Sequence, residues 1–170
     1  MELGRYIALV LVGTGAAIDL RTRRLPNLLT FGGAAAAFAY HGWTSGAGGL
    51  GHSLAGWAVG IALFLPMFLL RGMGAGDVKL LGAVGAWLGP IGALWSGLFS
   101  VFAGGVLALL VGARHKYLGQ AFRNLWGMLG FWRAVGIRPL PGMTVEDSVG
   151  PRLAYGAAIA AGTLAAVWLK

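Results

Sequence analysis

The chain has 170 residues, 58% of them hydrophobic and only 11% charged, with a formal net charge of +8. A soluble domain of this size cannot carry so apolar a composition, which indicates an integral membrane protein. Its length holds about five or six helices at roughly 20 residues per span, and no separate soluble domain; the lack of cysteine excludes disulfides, a thiolate nucleophile and cysteine-ligated zinc.

The first apolar run covers residues 3–20. Its small residues between Gly13 and Ala17 resemble a signal peptide, but the basic cluster Arg21-Thr22-Arg23-Arg24 follows the run instead of preceding it. That order fits a retained helix with its C-terminal end in the cytoplasm. Further spans are expected at 28–43, 54–70, 78–88, 91–113 and 153–169. The fourth and fifth meet at Gly89-Pro90, a tight turn that makes them a hairpin. The expected fold is all-α and polytopic: one domain over residues 1–170 with about six transmembrane helices and the N-terminus outside.

This orientation puts Arg21, Arg23, Arg24, Arg71, Lys79, Arg114, Lys116, Arg123, Arg133, Arg138 and Arg152 in or beside cytoplasmic loops, leaving Arg5 and Lys170 outside. The basic excess therefore sets topology and implies no nucleic acid. Within the connection 114–152, Phe122, Leu125, Trp126, Leu129 and Trp132 recur near helical spacing, with Arg123 and Arg133 among them. An amphipathic helix lying on the cytoplasmic leaflet is expected there. The 31 glycines are spread through the apolar runs, where small residues let helices approach closely.

The acidic residues are Glu2, Asp19, Asp77, Glu146 and Asp147. Asp19 ends the first span and Asp77 begins the fourth, so the topology brings both to one membrane face. Each has a plain structural reading: Asp77 as the N-cap of its helix, Asp19 paired with Arg23 on a continuing turn. Together they allow chemistry. Two adjacent carboxylates do not both ionise easily, so one can activate water as general base while the other donates a proton to the scissile carbonyl or leaving amine. This is how an aspartic protease works, and it requires Arg21, Arg23 and Lys79 to turn away, because positive neighbours oppose a shared proton. Gly72, Gly74 and Gly76 are expected to adopt conformations closed to other residues and to leave room for an extended peptide.

Gly74-Ala75-Gly76-Asp77, read with Asp19 and with Leu25-Pro26-Asn27 opening the second span, resembles the type IV prepilin peptidases, the GxGD membrane aspartyl proteases. The short, peptidase-only form associated with Flp (Tad) pili is the nearest pattern. The resemblance extends over all six expected spans. It implies Asp19 and Asp77 as the catalytic pair, Gly74 and Gly76 as motif glycines, and Pro26, Asn27 and Lys79 as motif positions, the last matching GDxK without an assigned chemical step. It implies no cofactor or metal.

The implied substrate is a prepilin or pseudopilin, with a basic leader ahead of an apolar helix, cut at that junction on the cytoplasmic side of the inner membrane. The implied surroundings are membrane lipid and the pilus assembly machinery. Longer family members add a zinc-binding cysteine module and methylate the new amino terminus. This chain begins almost directly with its first span and has no cysteine, so methyl transfer is not expected. The stretch Pro151 to Gly162 is similar to the family's final-span signature, with Ala154 where proline often precedes the Tyr-Gly or Phe-Gly pair. No catalytic group is expected there.

Two other classes of function compete. A proton-coupled transporter would place ionisable groups near mid-membrane, where these spans have none. A non-catalytic subunit of a pilus or secretion machine would use both aspartates as caps alone. His41, His52 and His115 are divided between outer and inner loops, the first two expected in solvent, and form no metal cluster. Ser96 and Ser100 have no histidine at their depth and are expected to pack between helices.

Overall fold

The computed structural model describes residues 2–114, 118–136 and 154–169. Helices account for nearly all of them and no strand occurs among them: α1 (Glu2–Thr22), α2 (Asn27–Leu69), α3 (Ala75–Arg114), α4 (Leu118–Val135) and α5 (Tyr155–Trp168). Helices α1, α2 and α3 are long and apolar enough to cross a membrane, and α5 is a shorter apolar helix. Many large apolar side chains stay exposed, Trp43, Leu28 and Phe102 among them, as expected where the solvent is lipid.

The two longest helices each fold back at one glycine. Gly46 has φ 61 and ψ −151 inside α2, and Gly89 has φ 74 and ψ −179 inside α3. Both lie in a backbone region open essentially to glycine alone. The rings of Phe38 and Trp57 stand 6.4 Å apart, whereas their separation of 19 positions would span about 28 Å along a straight helix. In α3, a methyl on Gly97 would stand 3.3 Å from Leu81 Cδ2. The turn expected at Gly89-Pro90 is present. At Gly46 the helix runs up to the fold on both sides, without the longer loop that the apolar spacing suggested.

The first arm of α3 is the core of the bundle, with residues 80–87 all buried. It is apolar on every side because other helices surround it. Small residues bring α2 against it: a methyl on Gly60 would meet Gly82 Cα at 2.9 Å. Ser53 Oγ donates to Ala86 O at 2.6 Å and Trp87 Nε1 to Gly33 O at 3.0 Å, satisfying polar groups that hydrocarbon would leave unpaired. The second arm of α3 packs on α5, where Ser96, Ser100 and Thr163 are fully buried and Ser100 Oγ donates to Ser96 O at 2.5 Å. The serines are packing residues, as expected.

His41 departs from its expected place in solvent. It lies within α2, half-buried, with its ring 5.2 Å from Tyr40 and 6.0 Å from Trp87. It packs where the first arm of α2 meets Trp87 of α3. His52 is exposed and lies over Gly89.

Helix α4 forms within the stretch where an amphipathic helix was expected, with Arg123, Trp126 and Arg133 exposed. Among the described residues it packs only on α3. His115, Lys116, Arg138, Glu146, Asp147, Pro151 and Arg152 lie outside the described residues.

Candidate active site

Helix α1 ends because Thr22 turns its hydroxyl onto the backbone, donating to Ile18 O at 2.9 Å, and Arg23 adopts φ 53. The last turn still closes from Arg23 N–H to Asp19 O at 2.9 Å before the helix stops. The chain re-enters helix after Pro26, at φ −64 and ψ 137; proline suits this place because a helix start leaves N–H groups unpaired anyway. Helix α2 ends at Leu70 in paired bonds, Gly72 N to Met67 O and Arg71 N to Phe68 O, both 2.9 Å. This is a Schellman closure with Arg71 in the left-handed position.

Helices α1 and α3 approach closely at Gly15, where a methyl would stand 3.2 Å from Leu80 Cδ2. From that contact α1 continues four residues to Asp19, while α3 reaches back three residues to Asp77. At 1.5 Å per residue both steps cover about 5 Å in the same direction, so the carboxylates come to one depth. Asp19 is buried, 8% exposed, and Asp77 is half-buried. Each lies within electrostatic reach of the other.

Asp77 reaches back to the start of its own helix, its carboxylate taking a backbone hydrogen bond from Gly74, the residue before α3. Asp77 is in the first turn of α3 rather than before it, and its backbone N–H donates to Gly74 O at 3.2 Å. Asp19 serves another helix: Gly156 N, in the first turn of α5, donates to Asp19 Oδ2 at 3.0 Å in a buried bond. A methyl on Gly156 would stand 3.0 Å from both Cβ and Oδ2 of Asp19. The Tyr-Gly pair therefore belongs to the carboxylate site, contrary to the expectation that nothing catalytic lies near it. No local pattern signals this contact, which joins residues 137 apart. Tyr155 lies within electrostatic reach of Asp77, its ring edge-on to Phe64 at 5.7 Å.

The motif glycines work otherwise than expected. Among the described residues, positive φ falls on Gly46, Gly89, Gly136, Arg23 and Arg71, so Gly72, Gly74 and Gly76 do not use conformations closed to other residues. Gly76 provides space instead, and Leu25 takes it: a methyl there would stand 2.9 Å from Leu25 Cβ. A methyl on Gly74 would stand 3.2 Å from Asp77 Oδ2. The opening expected for a peptide beside Gly76 is thus packed by the α1–α2 loop.

Lys79 turns to the start of α2. Its Nζ donates to Asn27 Oδ1 at 3.0 Å and lies 4.9 Å from the centre of the Phe31 ring, and Arg21, Arg23 and Arg24 are exposed. Among the described residues no group of three or more His, Asp or Glu side chains gathers as metal ligands would. What the site offers is two carboxylates at one depth, each taking a backbone hydrogen bond, with Tyr155 within electrostatic reach of Asp77.

No curated protein and no solved structure matches the chain. The family model described as the type IV leader peptidase family matches residues 6–112, a stretch holding both aspartates, Pro26-Asn27 and Gly74 to Lys79. With more than half of its length matched, the chain belongs to the type IV leader peptidase family.

Proposed function

We propose that this peptidase is an aspartic endopeptidase that removes the basic leader of Flp-type prepilins or pseudopilins at the cytoplasmic face of the inner membrane. The arms of α2 and α3 are separate passes, so that with α1 and α5 the chain crosses six times, its N-terminus outside. The basic residues following α1 and beginning the α2–α3 turn then lie on the cytoplasmic side with Asp19 and Asp77.

The observation that carries this reading is the meeting of Asp19 and Asp77 at one depth through the Gly15–Leu80 contact. In this reaction the attacking water is bound between the two carboxylates. One takes a proton as the water oxygen attacks the scissile carbonyl carbon, and the other donates its proton to the carbonyl oxygen. Collapse breaks the C–N bond as a proton passes to the leaving amine. Lys79 is occupied by Asn27 and takes no part. The depth of the pair suits a substrate whose leader remains in the cytoplasm while its apolar helix stays in the bilayer.

The test is leader removal from a co-expressed Flp-type prepilin by wild type, Asp19→Asn and Asp77→Asn. Each variant is expected to insert normally and to lose about 10²–10⁴-fold in cleavage rate. Asparagine caps helices about as well as aspartate, so near-normal processing by either variant would reduce the pair to a structural one.

A further inference from the structure

The family match ends at residue 112, yet the Asp19 carboxylate is held from beyond it. Helix α5 starts at Tyr155 after Ala154, which is buried and makes no side-chain cap bond. A helix start has four N–H groups without intrahelical partners, and serine, threonine, aspartate or asparagine before it normally claims the second or third. Alanine has no side-chain acceptor, and its own carbonyl takes the third, the Ala157 N–H, at 3.1 Å. The Gly156 N–H is left for Asp19 Oδ2 at 3.0 Å, and only glycine there avoids a methyl 3.0 Å from that oxygen.

The donor is also fixed in place. The Tyr155 hydroxyl donates to Ser100 O at 3.4 Å, and its ring packs where Gly104 lacks a side chain, a methyl there standing 2.6 Å from Cε2. Further along the same helix pair, a methyl on Gly162 would meet Ser100 Cα at 2.6 Å. These contacts lock α5 against the second arm of α3, so its first N–H groups cannot shift without unpacking the helix pair.

We propose that Gly156 is a positioning residue for peptide cleavage, holding the Asp19 carboxylate through its backbone N–H, and that the uncapped Ala154 start of α5 keeps this donor available. The proposal rests on the reading of Asp19 as a catalytic group. Held this way, Asp19 has one oxygen committed to α5 and the other left for water. A displacement on the order of 1 Å at such a group costs about 10²-fold in rate.

The competing account is that Asp19 merely caps α5, and the two differ in sign at Ala154. A serine hydroxyl there would compete for the same N–H, sparing or raising helix stability while loosening Asp19. The experiment measures kcat, KM and thermal stability of the full chain in lipid nanodiscs, using a synthetic peptide that spans a basic leader and the start of an apolar helix. Gly156→Ala should lower kcat about 10²-fold with KM nearly unchanged. Ala154→Ser should lower kcat several-fold with no loss of thermal stability. Gly46→Ala, strained at the fold of α2 at the other end of the bundle with nothing within 4 Å of the added methyl, should lower thermal stability while its folded fraction keeps wild-type kcat.

Wild-type kcat in Ala154→Ser would overturn the proposal, even if Gly156→Ala did not fold. So would a Gly156→Ala loss that merely tracks thermal stability as in Gly46→Ala. Asp19→Asn run alongside separates the two levels. Retained cleavage there removes the catalytic pair itself, whereas lost cleavage with a normal Ala154→Ser removes only the role of Gly156.

Discussion

At the end of the bundle away from the carboxylates, Gly46 and Gly89 reverse the chain at φ 61 and φ 74. At the carboxylate end, Gly74, Gly76 and Gly156 keep ordinary backbone angles, and each lies against a side chain: Asp77, Leu25 and Asp19. The first pair is needed for its dihedral angles and the second group for the volume it lacks. This difference separates backbone strain from packing: a change at the turns should act through the dihedral angles it forces, while a change beside the carboxylates should act through the side chain it displaces.

Gly89→Ala is expected to have the largest effect on stability. Its backbone region is closed to alanine at about 1–3 kcal/mol, and the His52 ring lies where the methyl would go, adding overpacking of about 1–3 kcal/mol. Gly46 shares the strain but has nothing within 4 Å of an added methyl, so Gly46→Ala should cost only the strain, about 1–3 kcal/mol. Unfolding in mixed micelles would rank the two. Equal losses would show that His52 yields freely and that strain alone governs these turns.

Gly76→Ala comes next and tests the other half of the comparison. The added methyl would press on Leu25 Cβ at 2.9 Å, costing about 1–3 kcal/mol. If space for Leu25 is what Gly76 supplies, Leu25→Ala in the same chain should recover much of that loss, a coupling that a double-mutant cycle reads directly. A cycle with no coupling would return Gly76 to the role of clearing a path for peptide.

These contacts explain what the sequence could and could not reveal. The helices, the Gly89-Pro90 reversal and the common depth of Asp19 and Asp77 follow from apolar run length, local turn chemistry and the position of the basic residues, all encoded within a few residues. The fold at Gly46 was blurred because Thr44 to Ser53 is a run of small and glycine residues that serves helix or loop equally well. The use of Gly76 by Leu25 and of Gly156 by Asp19 is a contact across space, with no periodicity to betray it. Sequence showed that glycines gather at the carboxylate end; only packing shows that they are there for neighbouring side chains.

Lys79 should produce the smallest effect, and it is the most direct check on which groups belong to the chemistry. It lies two residues from Asp77, close enough in sequence to be taken for a participant. Its Nζ instead bonds Asn27 Oδ1 at 3.0 Å and faces the Phe31 ring at 4.9 Å, tying the start of α2 to the first turn of α3. An exposed bond and ring contact of this kind together contribute about 1 kcal/mol. Lys79→Met should therefore lower thermal stability slightly and slow cleavage by less than about tenfold, far short of the loss expected for Asp77→Asn. Lys79→Arg, which keeps the charge but alters the donor geometry, should fall between Lys79→Met and wild type. If Lys79→Met instead abolished cleavage in a normally inserted, stable protein, the lysine would have to leave Asn27 during the reaction and meet the carboxylates, and the division between strap and catalytic pair would fail.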